Sequence, residues 1–429
     1  MTRLVGGDDV RRALGLRRDM EALAAEFTGH FRESGAVPLD PEPAIPRADP
    51  TVLFTNSAVV SFKPFIRGDR PLDDGLYTVT QPCVRAHNLK TAFAEAFSAD
   101  FVLQFTMLGA LAPAAGRATF TDAIARFFRD RLGLSSSQVL FKVASDDHDL
   151  HAGWLDTWST PVSYDTERRA YYRWGFGDEG MTGRGATFAI AQHGGGWRDL
   201  GNLIAFEWQG RTVGYGFGIG VETLAACLAR SRWVLDVMPP GVLPPVATEQ
   251  DAKLADLAGM LVRLYGNGVE LSSRAQGHVM RRALVSFDVL SGRLGVPGAE
   301  LLARVAALAG VDQPDADVVG PLGRDLDLLH TSPESVRSLA LSLRCRRDVH
   351  PETLCEAVER VSLPEVLRTE AWVTDIWTGP GFADDEHSVT LSLNLSTRRS
   401  MGPEQVRAAL RVLTAELGAS FGATLRGRL

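Results

Sequence analysis

In two stretches of the sequence, an apolar run is followed by a basic residue. Such an arrangement could place a fixed cation over a phosphate group. Residues 53–68 read LFTNSAVVSFKPFIRG, and residues 78–89 read TVTQPCVRAHNL with Arg85 after the apolar run. The planar guanidinium of Arg binds phosphate oxygens in two directions and keeps its proton. A surface ion pair is the commoner role of an Arg after a strand, so spacing alone leaves both interpretations open.

Two glycine-rich stretches could bring the backbone close to a ligand. Residues 173–187 read RWGFGDEGMTGRGAT, and residues 216–223 read GFGIGVET at the start of a helical pattern. Glycine permits tight turns and close approach, and a helix N-terminus favours the negative charge of a nucleotide. A purely structural role explains the second stretch equally well: a glycine-containing strand that packs on a core helix and binds no ligand.

A third cluster combines acids and imidazoles at residues 146–151, DDHDLH. Such density invites a metal hypothesis, but acids also favour the positive end of a helix dipole, and we predict a solvated helix start. The four cysteines lack C-x-x-C spacing, so neither a zinc site nor a disulfide framework is indicated. We therefore predict no structural metal site.

Composition excludes several classes of protein. A chain of 429 residues suggests two or three domains, and 23% charged with 45% hydrophobic residues is typical of a soluble globular protein. The net charge of −7 argues against indiscriminate nucleic-acid binding, although a local basic face can still hold RNA. With neither a signal-peptide core nor roughly 18 consecutive apolar residues, we expect a cytoplasmic protein with no membrane or DNA partner.

The elements that must position these residues follow from periodicity and turn signals. Residue 53 begins the first core strand, and residues 173–187 form a loop. Helices are expected at residues 8–34, 120–132 and 251–308, and strands at residues 101–109, 138–144 and 199–208. The C-terminal part predicts β-α-β-β-α-β, a ferredoxin-like order, with strands at 338–343, 366–377, 388–395 and 423–426 and helices at 351–361 and 403–417.

The first part of the chain resembles the catalytic core of the alanyl-tRNA synthetases. The matching residues are Leu53, Phe54, Thr55, Asn56, Phe62, Lys63, Cys83, Val84 and Arg85. The resemblance implies an α+β fold with the antiparallel sheet core of class II synthetases, followed by an all-helical segment and the ferredoxin-like domain. We expect a catalytic domain at residues 1–240, a helical tRNA-acceptor-binding domain at 249–310 and an anticodon-binding domain at 330–429.

The same resemblance implies the site residues. Arg85 is expected to be the catalytic residue that holds the phosphate. The expected ATP-binding residues are Arg85, Phe105, Met107, Gly218, Gly220 and Glu222, and the expected cofactor is Mg²⁺. The expected substrate-binding residues are Trp174, Asp178 and Asn202. Three positions depart from the family pattern: Thr106 replaces a Glu, Gly216 replaces the Asp that pairs with the substrate ammonium, and Thr223 replaces the Arg that holds the γ-phosphate.

Two further segments resemble tRNA-binding modules. Residues 251–295 are similar to the acceptor-binding helices of the same family, with Arg281 and Arg282 as tRNA contacts, although paired Arg residues also fit a solvated helix face. The C-terminal part is similar to the anticodon-binding domain of phenylalanyl-tRNA synthetases, with Arg398 and Arg399 in a basic loop.

The resemblance thus implies an ATP-dependent ligase that activates an amino acid or another carboxylic acid as an acyl-adenylate. The acceptor is either a tRNA or a small amine. The alternative is a catalytically inactive synthetase paralogue that binds tRNA or regulates a partner. A homodimer is expected from the resemblance alone.

Overall fold

The protein divides into two compact units in a computed structural model. Unit 1 comprises Met1–Asn88 and Ser98–Gly320, and unit 2 comprises Leu89–Phe97 and Pro321–Leu429. The structure describes residues 7–46, 49, 51–72, 75–86, 89, 102–166, 169–192, 195–242, 248–272, 274–331, 335–363, 366–379, 381–383, 385–397 and 401–426. The predicted three-domain division stays a prediction.

The described part of unit 1 is built on a nine-stranded sheet. Its strands are β1 (Ala36–Pro38), β2 (Leu76–Val84), β3 (Gln104–Pro113), β4 (Val139–Ala144), β5 (Val162–Asp165), β6 (Arg173–Gly175), β7 (Met181–Ala191), β8 (Trp197–Trp208) and β9 (Arg211–Gly220). The order is β1-β2-β3-β9-β8-β7-β4-β5, with β6 paired to β7. Only β1/β2 and β4/β5 are parallel among these pairs, which confirms the predicted antiparallel core.

Helices cover this sheet and complete unit 1. They are α1 (Gly7–Glu33), α2 (Val59–Ile66), α3 (Arg117–Arg126), α4 (His148–Thr157), α5 (Val221–Ala229), α6 (Glu249–Gly266), α7 (Ala275–Arg293) and α8 (Gly298–Asp312), and α9 (Val319–Thr331) follows. Phe27 and Phe31 lie one turn apart on α1, and their buried rings lie 6.1 and 6.4 Å from the ring of Phe217 on β9. Because side chains alternate along a strand, the neighbouring Gly216 and Gly218 belong to the opposite face.

Two predicted elements of unit 1 are wrong. The stretch that begins at Leu53 is not a core strand: residues 53–58 are irregular and α2 follows, with Pro64 inside it. The glycine-rich stretch at residues 173–187 is mostly strand, not loop. A Cβ at Gly185 would lie 2.2 Å from the backbone oxygen of Leu203, so this glycine allows close strand packing.

Unit 2 has the predicted β-α-β-β-α-β order. Its elements are β10 (Ser335–Arg346), α10 (Pro351–Arg360), β11 (Val366–Trp377), β12 (Glu386–Thr397), α11 (Pro403–Phe421) and β13 (Thr424–Leu425). The antiparallel strands are ordered β11-β12-β10-β13. Alternate residues of β10 and β12 point into a core with Leu354 of α10 and Leu413 of α11, so the ferredoxin-like prediction is confirmed.

Candidate active site

Arg85 follows directly after β2 and is held in place by backbone groups. Its backbone N–H donates to the carbonyl oxygen of Leu103 at 2.7 Å, and its Nε donates to the carbonyl oxygen of Asn56 at 3.2 Å. The guanidinium carbon lies 4.6 Å from the ring centroid of Phe105. No ion pair found between described residues includes Arg85. Burial lowers the pKa of the guanidinium, but an Arg keeps its proton at neutral pH, so a fixed cation is available to an anionic ligand.

Two cavities adjoin at Arg85 in the described part of unit 1. The first has a volume of about 100 Å³ and is lined by Arg85, Val102, Phe105, Met107, Tyr171, Thr187, Asp199, Leu200, Gly201, Asn202, Gly218, Gly220 and Thr223. The second has a volume of about 400 Å³ and is lined mainly by α2, β6, β8 and β9. Both are lined by Arg85, Met107, Asn202 and Gly218, which we call the shared wall. The structure therefore brings together residues that lie more than 130 positions apart.

Four of the predicted ATP residues besides Arg85 line the first cavity, and Glu222 does not. The four are Phe105, Met107, Gly218 and Gly220. The carboxylate of Glu222 is buried and accepts the backbone N–H of Thr106 at 2.8 and 2.9 Å. Burial raises the pKa of Glu222 to about 7. Glu222 therefore positions β3, and the ATP contact predicted for it stays a prediction.

A second helix holds the start of β3 in the same way. The carboxylate of Asp256 on α6 accepts the backbone N–H of Leu103 at 2.9 and 3.0 Å, and burial raises its pKa to about 8. On the same helix, Arg263 donates through Nε to the side-chain oxygen of Gln104 at 2.9 Å. Sequence reasoning missed Asp256, although an acid inside the apolar helical pattern KLADLAGML was a signal.

The predicted substrate residues Trp174 and Asn202 line the second cavity. The Asn202 amide oxygen accepts the hydroxyl of Thr187 at 2.9 Å. Gly216 also lines this cavity, and a Cβ there would lie 2.4 Å from the ring of Phe206. The Phe206 ring therefore fills the space that a side chain at position 216 would need.

Asp178, the third predicted substrate residue, is not among the described residues that line either cavity. Its carboxylate lies 2.9 Å from Nζ of Lys63 and 3.1 Å from a guanidinium nitrogen of Arg67. Lys63 also lies 2.7 Å from Asp49 and donates to the hydroxyl of Thr51 at 2.7 Å. These contacts form a buried ion cluster that holds α2, and the substrate contact predicted for Asp178 stays a prediction.

Sequence reasoning also missed a polar group in the first cavity. Nζ of Lys142 lies 2.8 Å from Asp199, and the hydroxyl of Tyr171 donates to the same carboxylate at 2.8 Å. Burial and the hydrogen bond to Asp199 raise the pKa of Tyr171 above its usual value. Asp199 is the one carboxylate among the described lining residues of both cavities. Because Lys142 already neutralises it, these residues do not form a preformed magnesium site.

Of the predicted tRNA contacts, Arg281 and Arg282 are described, and they line neither cavity. Arg281 is exposed on α7 and Arg282 is partly buried there, whereas Arg398 and Arg399 lie outside the described residues. Among the residues described, no group of three or more His, Cys, Asp and Glu side chains is arranged to hold a metal ion. None of the described helices has the length and apolar character needed to cross a membrane. The predicted ATP, substrate and tRNA contacts stay predictions.

Comparisons with known proteins give matches to tRNA synthetases. Residues 22–183 match the family model described as tRNA synthetases class II (A). The chain is 26% identical over 308 residues to the alanine–tRNA ligase of Magnetococcus marinus, covering 61% of this chain and 34% of that protein. It is 26% identical over 326 residues to the alanine–tRNA ligase of Saccharopolyspora erythraea, covering 63% and 35%. The chain thus spans about a third of the length of these relatives.

Solved structures give weaker likenesses. The histidyl-tRNA synthetase of S. aureus is 11% identical with a TM-score of 0.34, covering 54% of this chain and 72% of that one. The asparaginyl-tRNA synthetase of Entamoeba histolytica, solved with asparaginyl-adenylate, is 11% identical with a TM-score of 0.32, covering 54% and 66%.

Proposed function

We propose that this chain, which contains a class II tRNA synthetase (A) domain at residues 22–183, activates a carboxylic acid with ATP and forms an acyl-adenylate. The observation that carries the proposal is the position of Arg85. It stands in the shared wall, with Phe105 in the first cavity and Trp174 in the second. A carboxylate and an α-phosphate held in the two cavities would therefore meet at one fixed cation.

In the proposed reaction, a carboxylate oxygen attacks the α-phosphorus, the bond to pyrophosphate breaks, and an acyl-adenylate and pyrophosphate result. The ring of Phe105 would stack on the adenine, and Gly218 and Gly220 leave room for the nucleotide. Trp174 and Asn202 would orient the acid. The guanidinium of Arg85 would stabilise the charge that develops on the α-phosphate oxygens, so this chain contributes positioning and electrostatic stabilisation.

A magnesium ion, when bound, would stabilise the leaving pyrophosphate. The described lining residues offer it only Asp199, which pairs with Lys142. We therefore assign no step to a metal ligand of this chain.

The acceptor of the acyl group is proposed to be a tRNA 3′ end or a small amine. Arg281 and Arg282 of α7, together with Arg398 and Arg399, are the proposed tRNA contacts. The ferredoxin-like fold of unit 2 supports this only weakly, because that fold serves many functions. A homodimer and a cytoplasmic location are likewise proposals that rest on the resemblance to synthetases.

The test is ATP–pyrophosphate exchange with amino, hydroxy and keto acids, each with and without total tRNA. We expect exchange with at least one acid, and a loss of about 10²- to 10³-fold in Arg85→Ala. Arg211→Ala is the matched control, because Arg211 is exposed at the start of β9 and lines neither cavity. Exchange at wild-type rate in Arg85→Ala would refute the assigned role.

The alternative function is a catalytically inactive paralogue that binds tRNA. One observation favours it: Arg85 is the one basic residue among the described residues lining the first cavity, and Thr223 stands where the family has a second cation. Under this alternative, the folded protein binds tRNA with no pyrophosphate exchange for any acid. Exchange with one acid would exclude it.

A further inference from the structure

The second cavity contains one cation and no anion. Of the described side chains that line it, Arg85 is the charged one, and none is Asp or Glu. The one acid among the described residues that line the first cavity, Asp199, is paired with Lys142. A ligand in the second cavity therefore meets a positive field that attracts a carboxylate and repels an ammonium group.

Two Asn side chains line this cavity, and the amide oxygen of each already accepts a hydrogen bond. The amide oxygen of Asn202 accepts from Thr187 at 2.9 Å, which leaves the amide NH₂ as its donor group for a ligand. The side-chain oxygen of Asn56 accepts the hydroxyl of Ser57 at 3.3 Å, and its backbone oxygen accepts from Arg85. An ammonium group brings three donors and no acceptor, so the amide NH₂ of Asn202 suits a carboxylate better than an ammonium group.

The rest of the cavity is apolar and wide enough for a ring. Phe62, Trp174, Phe176, Phe206 and Ile204 line its volume of about 400 Å³. The rings of Phe176 and Phe206 lie 5.4 Å apart in an edge-to-face arrangement, which fixes one wall. A small polar acid would leave most of this surface uncovered, whereas an aromatic or branched group would fill it.

We infer that the second cavity selects a carboxylic acid that carries an apolar, ring-sized substituent and no free α-ammonium group. The carboxylate pairs with Arg85 and the Asn202 amide, and the substituent packs among the aromatic side chains. This inference rests on the proposed function, because the selected acid is the one that the protein would activate. It adds the substrate class to that function.

The experiment compares matched pairs of acids that differ only in the ammonium group. The pairs are phenylalanine with 3-phenylpropanoate and leucine with 4-methylpentanoate, measured by ATP–pyrophosphate exchange and by calorimetric binding to the full chain. We expect kcat/KM to be at least tenfold higher for the acid without the ammonium group in both pairs. A preference for the amino acids would overturn the inference and keep the proposed function.

If no acid supports exchange, the proposed function fails. The inference is then tested by the calorimetric affinities of the paired acids alone. Binding of 3-phenylpropanoate at least tenfold tighter than phenylalanine supports it, whereas equal or weaker binding overturns it. The two failures are thereby separated in one set of measurements.

A pair of variants at one lining position tests the electrostatic cause. Ile204→Asp adds a carboxylate to the cavity, and Ile204→Asn adds a side chain of the same shape without charge. We expect the Asp variant to shift the preference toward phenylalanine by about tenfold relative to the Asn variant. Equal preferences in the two folded variants would contradict the assigned cause. If either variant fails to fold in a thermal melt, the wild-type ratio decides.

Discussion

The two cavities differ in size and in chemistry, although they share a wall. The first is about 100 Å³ with a carboxylate, a phenol and two Thr hydroxyls in its lining, and the second is about 400 Å³ with five aromatic residues in its lining. The residues of the shared wall match the synthetase pattern. The departures at Thr223 and Gly216 each lie in one cavity alone. Under the proposed function, the place where the two substrates would meet is kept, and the changed residues lie in the walls that would set selectivity.

The shared wall depends on supports that touch neither cavity. Helices α5 and α6 hold the start of β3 through Glu222 and Asp256, and the buried ion cluster around Lys63 holds α2. Breaking a support should disturb both cavities together, whereas changing a lining residue should disturb one.

The largest effect is expected from Lys63→Met. It leaves the carboxylates of Asp49 and Asp178 buried without their shared cation, because Lys63 lies within 2.7 and 2.9 Å of them. Loss of one partner of a buried ion pair costs about 3–5 kcal/mol of unfolding free energy. Chemical denaturation measures this. Arg67→Met is the control and should cost less, because Arg67 is partly exposed; equal losses would contradict the arrangement.

The next effect is a pH dependence of stability that Glu222 contributes. Burial raises its pKa from 4.5 in the unfolded chain to about 7 in the folded one, so between these values the folded state binds more protons. Stability therefore falls as pH rises from 4.5 to 7, by about 3 kcal/mol from this group. Glu222→Gln should remove that part of the slope in denaturation curves. An unchanged slope would show that the carboxylate ionises normally.

Asp256 provides an internal check, because burial raises its pKa from 3.8 to about 8. The folded state again binds more protons than the unfolded chain between these two pKa values. In Asp256→Asn the fall of unfolding free energy with pH should therefore become less steep over a wider range, from about pH 4 to 8. Activity should then depend less steeply on pH in both variants, since β3 carries Phe105 into the first cavity.

The smallest effects separate the two cavities. Phe105→Ala should raise KM for ATP by about tenfold, because a lost base-stacking contact costs about 1–3 kcal/mol. Trp174→Ala should raise KM for the acid by a similar factor and leave KM for ATP unchanged. Steady-state kinetics of both variants measures this. If either variant raised both values equally, the two cavities would not bind different substrates.

The sequence predicted elements best where the pattern is local. The alternation in β10 and the helical spacing of α1 gave correct elements, and Arg85 and Asn202, both named from the resemblance, lie in the shared wall. The partners of Asp178 could not be predicted, because Lys63 lies more than 100 positions away and no local pattern links them. Gly185 was predicted to lie in a loop. Its lack of a side chain is explained by the close approach of the neighbouring strand, which the local sequence does not show.

The most direct test of the shared wall is calorimetry on Arg85→Ala with ATP alone and with the acid alone. If Arg85 faces both ligands, each affinity should fall by about tenfold or more, as expected when a charge-assisted hydrogen bond is lost. Arg211→Ala should leave both affinities unchanged. Loss of affinity for only one ligand, or for neither, would contradict the account that one cation serves both cavities.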